Sequence, residues 1–195
     1  MASELDICNL ALQWLGQDPI TNLLAPTNRP EQLCALNYPL ARDAFLEEHM
    51  WSFALKRAVL NPTGNTPEWG DGFEFQVPAN TMAIWRLYDS AQYNNQVQPE
   101  FWRREGNYVY STSANAYALI GTYVTDTTRF SPTFVQALAS RLAMDLAIPM
   151  TENVGLMQQM QGQFAIKARE AVAADGFQGR RETIKAERLL TARRS

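Results

Sequence analysis

The chain contains one histidine, two cysteines and no long apolar run, and each scarcity closes off a class of function. His49 is the sole imidazole, and Cys8 and Cys34 belong to no CxxC pair, so a zinc site of the usual type cannot be assembled. A Ser–His–Asp or Cys–His arrangement would have to use His49, yet no GxSxG elbow accompanies it. There is no glycine-rich phosphate loop and no GxGxxG, so nucleotide binding has no support. No stretch approaches the roughly 18 apolar residues that span a membrane. The opening MASELDICNL lacks the basic start and apolar core of a signal peptide. A soluble protein with two reduced, buried thiols, made in a cytoplasm, is the expectation.

What is present suits a folded chain. The 195 residues are 46% hydrophobic and 19% charged, enough for one domain or two small lobes sharing a core. Aromatics reach 11%, with five Trp; such side chains bury large areas and are also enriched where proteins meet. The net charge of −3 hides an asymmetry. Residues 180–195 hold six basic groups against Glu182 and Glu187, which leaves that end at +4 and the preceding 179 residues at −7. Positive charge confined to one end suggests a tail that docks into something acidic, whereas a polyanion-binding domain spreads it over a folded face.

Hydrophobic spacing divides the chain. Residues 4–15 read as an amphipathic helix capped by Ser3, with Asp6 at the positive end of the dipole, Leu5, Cys8, Leu12 and Leu15 on one face, and Gly16 as the left-handed stop. A second helix is predicted from Pro30 to about Glu48, with Leu33, Leu36, Leu40, Ala44 and Phe45 as its apolar stripe; Pro39 is expected to kink it or split it at Tyr38. The period then changes to two. In WSFALKRAVL, Trp51, Phe53, Leu55 and Val59 alternate with smaller or polar residues, as in a half-buried strand. A Pro/Gly/Asn-rich loop over 61–72 follows, then strands FEFQV, MAIWRLYD and YALIGTYV, and a hairpin in which EFWRR and YVYS flank Glu105-Gly106-Asn107. Helix returns at Ser131-Pro132, with Phe134, Val135, Leu138, Leu142 and Leu146 as the stripe and Ile148-Pro149 as the end. Thr151 is expected to open a last long helix bearing Val154, Met157, Phe164, Ala168 and Ala171 on one side, broken at 175–179. The expected fold is α+β: a helical bundle from 1–48 and 131–175 beside a small antiparallel β-sheet lobe from 51–124, as a single domain 1–179, followed by a basic segment 180–195.

Candidate chemistry is thin. Glu47 or Glu48 with Asp71 or Glu74 would be the carboxylate pair of a glycan hydrolase, but twenty acidic residues supply such pairs by chance. His49, at a helix end, reads as a partner of the dipole and not as a base. Met150, Met157 and Met160 fit either an adaptable binding face or gap-filling core. The basic segment can bind nucleic acid through phosphates, without aromatics for base stacking, or serve as a docking peptide. No cofactor and no catalytic residue are expected.

The order of segments carries a resemblance. An opening helix with ALQWLGQDPI leads to RPE, a Tyr and ARDAFLEEHMWSFALKRAVL, then FEFQVPANTMAIWRLYD, NYVYS and YVTDTTRFSPTFVQALASRLAMDLAIPMT. In that order the chain resembles the tail tubular protein A family, the head–tail adaptors of short-tailed, podovirus-like phages. The most specific pieces are Arg42-Asp43 through Trp51-Ser52-Phe53-Ala54, and Phe130-Ser131-Pro132 with Phe134. The resemblance implies a virion protein of the tail or neck, assembled in the host cytoplasm. It would form a ring of about twelve copies with head-to-tail interfaces. Its partners would be further copies of itself, the portal protein above, and the tail nozzle, tail tubular protein B, below. DNA would pass through the lumen without specific binding, and no membrane would be involved. It also implies that the C-terminal part reaches the portal, which makes Arg180, Arg181, Ile184, Lys185, Arg188, Leu189, Leu190, Arg193 and Arg194 the candidate portal-docking residues. A glycan hydrolase and a DNA-binding module are the alternatives from other classes.

Overall fold

The computed structural model describes residues 2–178 except 66, 68–71, 92–98 and 100. The architecture is α+β, with helices at both ends of the described chain and strands between them. Helix α1 (Glu4–Trp14) begins with a capping box: Ser3 Oγ accepts from the Asp6 amide while the Asp6 carboxylate accepts from the Ser3 amide at 2.8 Å. Gly16 follows at φ 67°, the left-handed stop its position demands. Helix α2 (Arg29–Glu47) is capped by Asn28, whose side chain accepts from the Glu31 amide. Helix α3 (Pro132–Thr151) is capped by Ser131, and α4 (Val154–Gly176) by Asn153.

Helix α3 is the centre of the bundle and packs against α1, α2 and α4. Its buried set, which includes Phe134, Ala137, Leu138, Ala139, Ser140, Leu142, Ala143, Leu146 and Ala147, covers much more than one stripe, as a helix enclosed by three others requires. Ile7, Cys8, Leu12, Cys34, Tyr38, Phe45 and Leu46 complete this core from α1 and α2. Cys8 and Cys34 are free and fully buried. Their shared hydrogen bond, then burial, push the Cys8 thiol up and hold it protonated. Met160 is buried and Met150 and Met157 pack partly beneath, so the methionines fill gaps in the core.

Two antiparallel sheets, not one, form the β lobe. Strands β1 (Leu55–Val59), β7 (Tyr117–Thr122) and β4 (Thr81–Tyr88) make the first, in the order β1-β7-β4. Strands β2 (Asn61–Pro62), β3 (Phe73–Gln76), β6 (Tyr108–Ser111) and β5 (Trp102–Glu105) make the second, in the order β2-β3-β6-β5. The sheets enclose a second core of Leu60, Phe75, Val77, Leu87, Val109, Ala116, Ala118 and Ile120. Arg104 ties them together: its guanidinium donates to the carbonyls of Met82 (2.8 Å) and Thr81 (3.2 Å) on β4. The β5–β6 hairpin turns on Gly106 at φ 58°. Gly72 sits at φ 134° with a Cβ position only 2.6 Å from the Ser111 carbonyl oxygen, so no other residue fits there.

Several expectations are corrected. Pro39 does not split α2, which runs unbroken from Arg29 to Glu47. The buried stripe of α2 is Cys34, Tyr38, Ala41 and Phe45, while Leu36 and Leu40 face outward. The strand predicted from Trp51 begins only at Leu55, because residues 52–54 form a 3-10 turn. Val59 then points outward, out of step with the alternation read from the sequence. Helix α3 passes Pro149 and ends at Thr151, whose hydroxyl donates back to the Ala147 carbonyl at 2.6 Å. Left-handed Glu152 makes the break, so Asn153 and not Thr151 caps α4. Val154, placed by periodicity on the apolar side of α4, is exposed.

Candidate interaction site

The two most distinctive sequence segments meet in space. Beyond the C-terminal end of α2, Trp51 turns inward and donates its indole N–H to the Phe45 carbonyl at 3.0 Å. Its ring lies 5.0 Å from Phe45, 4.9 Å from Phe134 and 6.1 Å from Phe53. Phe130 and Phe53 close on Phe134 at 4.7 and 5.0 Å, and Phe164 of α4 meets Phe45 at 5.6 Å. Most of these pairs are tilted or edge-on, as ring quadrupoles prefer. The cluster sits where chain leaves the bundle for β1 and re-enters it from β7. Polar contacts pin the same junction: Thr122 Oγ1 donates to the Ala54 carbonyl at 3.0 Å, and Arg129 donates to the Phe53 carbonyl.

The end of α4 also reaches this junction. The Asp175 carboxylate accepts from the Ser52 amide at 3.1 Å and from its hydroxyl at 2.6 Å, and lies 3.6 Å from His49 Nε2. Ser52 Oγ also donates to Gln178 Oε1 at 3.1 Å. His49 therefore stands at the end of α2, edge-on to Trp51 at 4.8 Å, between two helix ends. Upstream, the buried Arg42 guanidinium donates to Asp43 at 2.8 Å, lies 3.7 Å from Glu4 and rests over the Tyr38 ring. Burial, chiefly, pushes the Tyr38 hydroxyl up.

The carboxylates weighed as a hydrolytic pair have separate partners. Glu48 pairs with Arg141 of α3, and Glu47 accepts from the Tyr123 hydroxyl at 3.4 Å. Glu74 accepts from Thr63 (2.7 Å), Tyr110 (2.9 Å) and Asn65 (3.2 Å). Those hydrogen bonds, Thr63 first, hold its carboxyl below the usual range. Asp71 lies outside the described residues. An open groove over α1, lined by Ala2, Asp6, Asn9, Leu10, Gln13 and Val135 among others, has one ionisable side chain, Asp6, already committed to its cap. Among the described residues no group of three or more His, Cys, Asp or Glu side chains is placed to hold a metal ion, and no helix is long and apolar enough to cross a membrane.

The portal-docking candidates Arg180, Arg181, Ile184, Lys185, Arg188, Leu189, Leu190, Arg193 and Arg194 all lie outside the described residues. What the structure adds is exposed apolar surface. Leu36 and Leu40, one turn apart on α2 and assigned by periodicity to its apolar stripe, are each 64% exposed; Ile166 and Phe177, on and after α4, are exposed too. Arg104 and Asp175 are the structural ties that sequence reading missed. Nothing distinguishes an Arg in a hairpin, or an Asp at a helix end, until tertiary contacts form.

No family model matches this sequence, and no curated protein matches it either.

Proposed function

We propose that this chain is a structural subunit of a virion: a head–tail adaptor that rings the portal, continues the DNA channel and seats the tail nozzle. The observation that carries the reading is the meeting of the two resemblance-bearing segments. Arg42 to Ala54 and Phe130 to Phe134 are distant in sequence, yet supply most of one aromatic junction between bundle and β lobe. Residues that look like a family's signature thus act together as one built feature. Exposed apolar side chains on two different helices, α2 and α4, add support. A closed ring needs a different surface on each side of every copy, and scattered apolar faces on a small chain suit that need.

In this reading residues 180–195 dock onto an acidic portal surface. Their charge steers and speeds the encounter, and Ile184, Leu189 and Leu190 set how long it lasts. Light scattering of the purified chain, alone and then mixed with portal rings, tests the proposal. The expected result is a complex heavier than the portal by about twelve copies, as one closed ring would add. A portal mass that does not change overturns it. Removal of 180–195 should abolish the complex; unchanged portal binding, with only DNA retention lost, would reject the docking role of that segment.

A further inference from the structure

Two helices carry apolar side chains on the side turned away from the bundle. The outer face of α2 lies opposite the buried Cys34, Tyr38, Ala41 and Phe45. It presents Arg29, Gln32, Leu36, Leu40, Asp43 and Glu47 at helical spacing, with both leucines exposed. Helix α4 buries only Met160 and Ala171. In its second half the opposite face presents Gly162, Ala165, Ile166, Arg169, Val172 and Ala173, all exposed. The other two helices lack such a face: α1 exposes no large apolar side chain, and α3 exposes only Ile148. Apolar patches of this kind, bordered by charge, mark places where another protein surface settles.

The charges on the two faces are complementary. Of the cations on the four helices, Arg29 donates to the Pro149 carbonyl, Arg42 to Asp43, Arg141 to Glu48 and Lys167 to Glu170. Arg169 alone has no acceptor among the described residues. It stands in the middle of the exposed α4 face, between Ile166 and Val172. The α2 face has the opposite excess. Glu47 has only the Tyr123 hydroxyl, at 3.4 Å, and Asp43 stands one turn before it. Asp145 of α3 is exposed as well, but no pair of exposed leucines accompanies it.

We propose that the outer face of α2 in one copy packs on the outer face of α4 in the next. Leu36 and Leu40 cover Ile166 and Val172, the small Gly162, Ala165 and Ala173 let the helices approach, and Arg169 answers Glu47. Pairing of like faces would leave Arg169 without a carboxylate. The two faces differ, so the contact is heterologous: every copy offers one face to each neighbour, and the series closes as a ring. The contact deepens the ring reading above, on which it rests, by assigning the two surfaces that meet.

Cysteine trapping on the full chain tests it. A chain bearing Leu40→Cys is mixed at high concentration with a mass-tagged chain bearing Ile166→Cys, with and without portal rings, and oxidised with copper phenanthroline. Both positions are exposed, whereas the native Cys8 and Cys34 are fully buried and take no part. The expected product is the mixed disulfide, in excess over either like pair. Adding Arg169→Glu to the Ile166→Cys chain should lower that yield about fivefold, and adding Glu47→Arg to the Leu40→Cys chain should restore it, as for an exposed ion pair. Absence of the mixed disulfide under both conditions, an excess of like pairs, or a yield that Arg169→Glu leaves unchanged or Glu47→Arg does not restore would each overturn the contact. A portal complex made heavier by added copies but lacking the mixed disulfide sinks the contact and spares the adaptor reading. The mixed disulfide with no gain in portal mass does the reverse.

Discussion

Glu31 shows how a single side chain organises a connector that has no regular structure of its own. It is buried at the first turn of α2 and accepts from the Thr27 amide at 2.8 Å, the Thr27 hydroxyl at 3.0 Å and the Thr21 amide at 3.5 Å. Those bonds, led by the Thr27 amide, hold its carboxyl below the usual range. A carboxyl depressed on folding binds its proton more readily in the unfolded chain. Its contribution is therefore present above the ordinary glutamate range and lost as pH falls through it. Glu31→Gln removes that proton linkage. Thermal unfolding followed from neutral to acid pH should give a shallower loss of stability for the variant than for the parent; parallel curves would contradict the assignment. The sequence marked Glu31 only as one residue of RPE, because its partners belong to a loop that periodicity does not describe.

At the scale of elements, local chemistry was read well where a cap states it. Ser3 with Asp6, Gly16, Pro30 and Ser131-Pro132 sit where sequence analysis put them, since a cap satisfies its own orphan amides within a few residues. Pro39 did not split α2 and Pro149 did not end α3, because a helix held along its length by packing tolerates one missing hydrogen bond. Pro39 leaves the Ala35 carbonyl without its usual i+4 amide, yet α2 continues because Tyr38, Ala41 and Phe45 are packed on either side of the gap. Pro39→Ala restores that amide. It should raise the urea midpoint, by about 1–3 kcal/mol in unfolding free energy, if no packing is lost. A fall would mean that the ring itself fills space the methyl group cannot.

Across the whole molecule, the bundle and the β lobe are joined by the Trp51 to Ala54 turn, and α4 locks that turn. Asp175 supplies acceptors for the Ser52 amide and hydroxyl and faces His49. Asp175→Ala removes the acceptor of the Ser52 amide and one acceptor of its hydroxyl. The expected loss is about 1–3 kcal/mol in urea unfolding, with Asp175→Asn recovering part of it, since an amide oxygen still accepts. Equal stability of both variants would show that water replaces the carboxylate without cost.

Sequence by itself determined the α+β class, the positions of most helix starts, the antiparallel strands and the uneven distribution of charge. Each of these rests on period, capping or composition, which are local properties of the chain. Only tertiary structure decided which apolar residues are core. Leu36 and Leu40 have the spacing of a buried stripe, and so does the Cys34, Tyr38, Ala41 and Phe45 set; the choice fell to the face that α1 and α3 cover. It also divided the strands into two sheets, and brought Trp51 and Phe134 together across eighty residues of chain. Those outcomes depend on which surfaces meet, and a one-dimensional pattern records what a residue prefers to bury without recording against what.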